Sequence, residues 1–227
     1  MIRIGVFDTA GCDIATFETN ESLPESVAKR IENVKNPEEK SLKKAAYALL
    51  VKMYKEWSGE EELPQIFYTP LGKPEFFVNQ DCHFNISHSK SAVAVAISNK
   101  NVGVDIQSLD MISESTAARV GARYADSLAR ACNAREPEST PEVLIYELRD
   151  GVISPTFCSA EIINVEEGNA LCDFSSGWTR LEAALKLNGG GFAAMGSLGD
   201  VLDFASIKTL RLSLPGGEYA LSIATNE

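Results

Sequence analysis

HFNISHSKSAVAVAISNKNVGVDIQ, residues 83 to 107, is the stretch on which the fold turns. FNIS and AVAVAIS are extended apolar segments separated by a short polar break, and NVGVDIQ follows after a second turn at Ser98 to Asn101. Three consecutive strands are therefore expected. The two-residue period of a strand places Val102, Val104 and Ile106 on one face of the third, with Gly103, Asp105 and Gln107 on the other. Both histidines of the chain, His83 and His88, sit at the edges of this apolar block.

Outward from it, IRIGVF near the start reads as a strand closed by Asp8 and Gly11. From Leu23 to Trp57 the pattern is helical, interrupted at Asn36-Pro37, with Ala45, Leu49 and Met53 at helical spacing. QIFYT is a short strand and LGKPE a turn. Residues 113 to 132 look helical, and EVLIYELRDGVISPTFC resembles a hairpin around Asp150-Gly151. Trp178, Leu181 and Leu185 form a helix stripe within Gly177 to Leu187, which stops at Gly189-Gly190-Gly191. IKTLRLSL and EYALSIAT, joined by Pro-Gly-Gly, make a closing hairpin. The class is α+β, with no fixed-period repeat and no low-complexity linker.

The 227 residues suffice for one large domain or two small ones. With 21 basic against 32 acidic residues the net charge is -11, which argues against a general nucleic-acid binder and against docking on an anionic membrane. The first residues lack the long apolar run of a signal peptide and no run is long enough to cross a bilayer, so a cytoplasmic protein is expected. Cys12, Cys82, Cys132, Cys158 and Cys172 are widely spaced, without a C-x-x-C pair, and read as reduced structural thiols.

Three further features carry possible chemistry. Asp105 and Gln107 project from one strand face, roughly 7 Å apart along the backbone, beside a glycine that leaves room for a ligand. Such oxygens suit a hard cation such as Mg²⁺, although a half-exposed polar strand face fits as well. Trp178, Glu182 and Lys186 recur every four residues on one helix face, which fits a surface ion pair or a metal ligand beside a phosphate-neutralising cation. Lys73, held in a turn between Gly72 and Pro74, and the pair Ser87 and His88 can bind a phosphate or carboxylate. Lys29, Arg30, Lys43 and Lys44 belong to the densest basic segment of an acidic chain.

In this order G-K-P (72 to 74), F-N-I-S-H-S (84 to 89), V-G-V-D-I (102 to 106) and W-x-x-x-E-x-x-x-K (178 to 186) resemble the motifs of surfactin-type 4′-phosphopantetheinyl transferases. The resemblance covers residues 29 to 191. It implies a monomer built as a pseudo-twofold pair of similar α+β halves, 1–101 and 102–227, binding coenzyme A at their junction. The implied reaction transfers the phosphopantetheine arm to a serine of an acyl, peptidyl or aryl carrier protein and releases 3′,5′-ADP. By the same resemblance Asp105 and Glu182 would bind Mg²⁺ with Gln107 in the third position, and Glu182 or a metal-bound water would take the serine proton. Lys186 would stabilise phosphate charge. His88 and Ser87 would hold a phosphate of coenzyme A, and Lys73 and Pro74 would meet its nucleotide end. Lys43, Lys44 and Lys29 or Arg30 would surround the 3′-phosphate.

The chain departs from the family pattern at Gln107, where glutamate is usual, at Leu181 and Lys90, and in the length of residues 131–176. Arg119, Arg123 and Arg130 are candidates for meeting an acidic carrier, and equally fit an ordinary surface. Two other readings stay open: a catalytically silent module that binds coenzyme A or a carrier protein, and a metal-dependent phosphoester hydrolase using the same acids.

Overall fold

The computed structural model describes residues 1–12, 23–77, 81–149, 152–156, 161–164, 174–191 and 198–226. The expected elements form: β1 (Ile2–Asp8), α1 (Glu25–Glu32), α2 (Pro37–Ser58), β2 (Ile66–Tyr68), β3 (Pro74–Phe76), β4 (His83–Ser89), β5 (Ala92–Ser98) and β6 (Val102–Ser108). Asn36-Pro37 is a start signal as much as an interruption. The Asn36 side chain accepts bonds from the Glu38 and Glu39 amides, Pro37 opens the first turn, and Gly59, at φ +78°, closes α2 with a left-handed cap. Part of the expected LGKPE turn is strand, because β3 pairs antiparallel with β2.

The second half supplies α3 (Glu114–Arg123), α4 (Ala125–Cys132), β7 (Glu142–Arg149), β8 (Val152–Thr156), β9 (Glu161–Asn164), α5 (Phe174–Asn188), α6 (Leu198–Phe204), β10 (Ala205–Leu214) and β11 (Gly217–Asn226). The Asp150-Gly151 turn expected between β7 and β8 lies outside the described residues. The α+β class holds. Among the described residues no helix is long and apolar enough to cross a membrane.

One sheet runs β4-β5-β1-β7-β8 and the other β6-β11-β10-β9. Each contains the same connection: a strand, a helix, then a hairpin whose second strand pairs antiparallel with the first, β1/α2/β4/β5 and β6/α5/β10/β11. The sheets face each other through Ile4, Val6, Ala94 and Ala96 against Val104, Ile106, Leu212 and Leu221. Leu49 and Met53 of α2 cover the outer face of the first, and Leu181 and Leu185 of α5 that of the second. Four layers, helix, sheet, sheet and helix, result.

The boundary at 101/102 marks where the chain passes from one sheet to the other, but it does not divide the molecule cleanly. β7 runs parallel to β1, pairing Val6 with Ile145, so the β7–β8 hairpin of residues 142–156 belongs to the N-terminal sheet. Its composition explains this: Val143 and Ile145 pack into the core between the sheets while Leu144, Tyr146 and Leu148 pack under α2. A strand apolar on both faces has to be covered on both.

Two expectations are overturned. Gly103 does not leave room for a ligand. A Cβ there would fall on the Ala183 carbonyl and lie 2.5 Å from the Leu187 amide, so the glycine admits the α5 backbone instead. The cysteines are not all reduced thiols. Cys12 and Cys82 are free, but Cys132, at the end of α4, is in a disulfide whose other half lies outside the described residues.

Candidate functional site

β6 is the edge of its sheet, and its outward amides would be buried without partners. Alternate side chains of β4 accept from them. Asn85 Oδ1 takes the Val104 amide at 2.9 Å, Ser87 Oγ the Ile106 amide at 3.3 Å, and Ser89 Oγ the Ser108 amide at 3.0 Å. The sheets are thus sewn together by side chains where no backbone ladder runs. The regular N-x-S-x-S spacing shows this in the sequence once a neighbouring strand edge is known.

Ser87 continues inward. Its hydroxyl donates to Asp105 Oδ1 at 2.7 Å and accepts from Lys186 Nζ at 2.7 Å. With the Ile106 amide, its one hydrogen and both lone pairs are engaged. Lys186 also donates to Asp105 Oδ1, at 2.6 Å. The other oxygen of Asp105, Oδ2, is buried and accepts no hydrogen bond from the described residues. Burial first, and then the charge of Asp105, push the Glu182 carboxyl up to about 8, with Lys186 pulling the other way. Two acids that face each other this way share either a proton or a cation.

A divalent metal fits that donor set. Among the described residues no three or more His, Cys, Asp and Glu side chains converge, so the protein would supply Asp105 and Glu182 and leave the remaining positions to water and phosphate oxygens, as Mg²⁺ prefers. Gln107 follows Asp105 on the same strand face, and its amide nitrogen donates to the Ser108 carbonyl at 3.1 Å. Trp178, the third member of the helix row, stacks on Phe174 at 5.8 Å.

Beside this cluster lie two cavities of about 460 and 240 Å³ that share Gly72, Pro74 and Ile86 in their walls. The larger is walled by Arg30, Lys43, Tyr47, Tyr68 and His88, the smaller by Lys186 and Gly189. Together they form a cleft between the α1–α2 side of the molecule and α5, and it reaches the cluster through Lys186, which is bonded to Asp105. Arg30 lies over the Tyr68 ring at 3.8 Å, and the Tyr47 and Tyr68 hydroxyls share a 2.9 Å hydrogen bond. Burial, then Lys186 and Lys43, hold His88 below the usual histidine range.

The structure therefore brings together Asp105, Glu182, Lys186, Ser87, His88, Pro74, Lys43 and Arg30. It does not bring every expected cation. Lys29 and Lys44 are exposed and line neither cavity, Lys29 pairing with Glu25 one turn away. Lys73 does line the smaller cavity, but it is 8% exposed, with its ammonium held by Asn101 Oδ1 at 2.7 Å and the Leu187 carbonyl at 3.3 Å. Arg119, Arg123 and Arg130 are exposed on α3 and α4, in no ion pair with another described residue, and α3 buries no residue. No protein-family model and no curated protein matches the chain.

Proposed function

We propose that this protein transfers the 4′-phosphopantetheine arm of coenzyme A to a serine hydroxyl of an acyl, peptidyl or aryl carrier protein, with Mg²⁺, releasing 3′,5′-ADP. The observation that carries the reading is the meeting of Asp105 and Glu182, from two distant motifs, with Lys186 at 2.6 Å. A cleft walled by Arg30, Lys43, His88 and Lys186 adjoins them in a chain of net charge -11. Such a site suits a polyanion. The repeated strand–helix–hairpin connection supports a pseudo-twofold pair of halves.

Asp105 and Glu182 would hold Mg²⁺, with Gln107 at the third position, and the ion would supply positive charge against that growing on the pyrophosphate as its bond breaks. Lys186, from its place beside Asp105, stabilises the same charge on the phosphate oxygens. His88 and Lys43 orient the nucleotide end in the cleft. The serine oxygen attacks the phosphorus that carries pantetheine, the bond to 3′,5′-ADP breaks, and the serine proton passes to Glu182. The exposed arginines of α3 and α4 offer an acidic carrier a landing surface on an otherwise repelling protein.

The test is to incubate the protein with Mg²⁺, coenzyme A and several apo carrier proteins and to weigh the carriers. A gain of one phosphopantetheine group per carrier is expected. Binding of coenzyme A without any gain replaces the transferase with a silent module, and cleaved coenzyme A without carrier modification replaces it with a hydrolase.

A further inference from the structure

Lys73 stands in the turn that forms one wall of the cleft and lines its smaller cavity, yet its ammonium is engaged at the end of α5. The turn is closed by its own bonds: the Thr69 amide to the Lys73 carbonyl at 2.9 Å, the Lys73 amide to Thr69 Oγ1 at 3.1 Å, and the Gly72 amide to the Thr69 carbonyl at 2.8 Å, with Gly72 at φ +91°. From there the side chain passes beside Gly189, where a Cβ would lie 3.3 Å from Lys73 Cδ, and reaches the last turn of α5.

That helix end lacks partners for its final carbonyls, as any helix does. Gly189, at φ +74°, returns its amide to the Leu185 and Lys186 carbonyls. The Leu187 carbonyl is capped from outside the helix, by Asn101 Nδ2 at 2.6 Å and by Lys73 Nζ. Asn101 comes from the turn where the chain crosses between sheets, and it also accepts from Lys73 at 2.7 Å. A cation at a helix C-terminus meets the negative end of the helix dipole.

We infer that Lys73 is a positioning residue: with Asn101 it latches the cleft wall to the end of α5 and thereby fixes Glu182 and Lys186 against Asp105, and it does not itself bind coenzyme A. The latch rests on the transferase reading for its catalytic consequence and on geometry alone for its existence. Leu187 adjoins Lys186 in sequence, so loosening its carbonyl frees the turn that aims the Lys186 ammonium. Burial already holds Lys73 below the usual lysine range, and an ammonium engaged by two oxygens inside the protein has little left to offer a phosphate.

Lys73→Met keeps the length of the side chain and removes the ammonium, and Asn101→Ala removes the second arm. Both are to be examined in the full chain by hydrogen–deuterium exchange and by carrier modification with varied coenzyme A. Expected are exchange of the α5 C-terminal amides at least ten-fold faster, kcat lower by about ten-fold, KM for coenzyme A within two-fold, and a double variant no worse than either single one. A KM raised ten-fold in Lys73→Met with kcat retained, or unchanged exchange at the end of α5, overturns the latch. If Lys73→Met fails to fold, Asn101→Ala decides, since a nucleotide-binding lysine would leave that variant silent. If the unaltered protein modifies no carrier, the transferase reading falls while the exchange measurement still judges the latch.

Discussion

Lys186 of α5 and Asp105 of β6 meet at 2.6 Å where the two sheets adjoin, and the carboxylate is the more deeply buried partner, its side chain 3% exposed against 30% for the lysine. Removing either one leaves the other without its counterpart in a partly dry site. Lys186→Met should cost about 1–3 kcal/mol, less than a fully buried pair because the lysine reaches solvent. Urea denaturation of the two proteins measures it, and equal midpoints would show the pair to be a surface contact only.

Asp105→Asn keeps the shape of the side chain but removes the charge that both Lys186 and a metal use. Carrier modification should fall by about a hundred-fold or more, as when a phosphoryl-transfer site loses a metal ligand. A variant that retains a tenth of the rate would exclude Asp105 from the reacting site.

Glu182 sets a pH dependence. Its carboxyl binds a proton more tightly in the folded chain, at about 8, than at the ordinary 4.5. A raised carboxyl contributes stability that is present below the ordinary value and is lost as pH rises toward 8. The thermal midpoint of the metal-free protein should therefore decline between pH 5 and pH 8, and Glu182→Gln should flatten that decline. A midpoint equally steep in the variant would assign the dependence to other groups.

Gln107→Glu adds a negative charge beside Asp105. Mg²⁺ binding followed by calorimetry should tighten by about ten-fold, since hard cations gain from each added carboxylate. Unchanged affinity would show that residue 107 does not reach the ion.

The seam between the sheets can be measured directly. Asn85→Ala leaves the Val104 amide buried without its acceptor, and should cost about 1–3 kcal/mol. Gly103→Ala should cost as much or more, because its Cβ meets the α5 backbone rather than a side chain that could turn away. Denaturation midpoints close to that of the unaltered protein would remove the seam and the close helix contact from the account.

Periodicity made most elements readable, because β1, β5, β6 and α2 each bury a regular apolar set. It also placed Asp105 on one strand face and Glu182 with Lys186 on one helix face, so the centre of the site was legible. What lay beyond it depends on partners distant in sequence. Nothing local marks β7 as a neighbour of β1, or turns Gly103 from a ligand gap into a helix seat. Ser87 reads as a phosphate donor until Asp105, Lys186 and the Ile106 amide are seen to engage it fully. Lys73 looks exposed in a turn, and only the position of the α5 terminus explains why it is buried.

The stitching of β6 by Asn85, Ser87 and Ser89 has a consequence for any attempt to cut the chain near residue 100. A C-terminal fragment would carry a bare strand margin whose three outward amides want acceptors, and would pair with itself or precipitate. The two pieces should stay dispersed only when produced side by side, each serving as the other's chaperone.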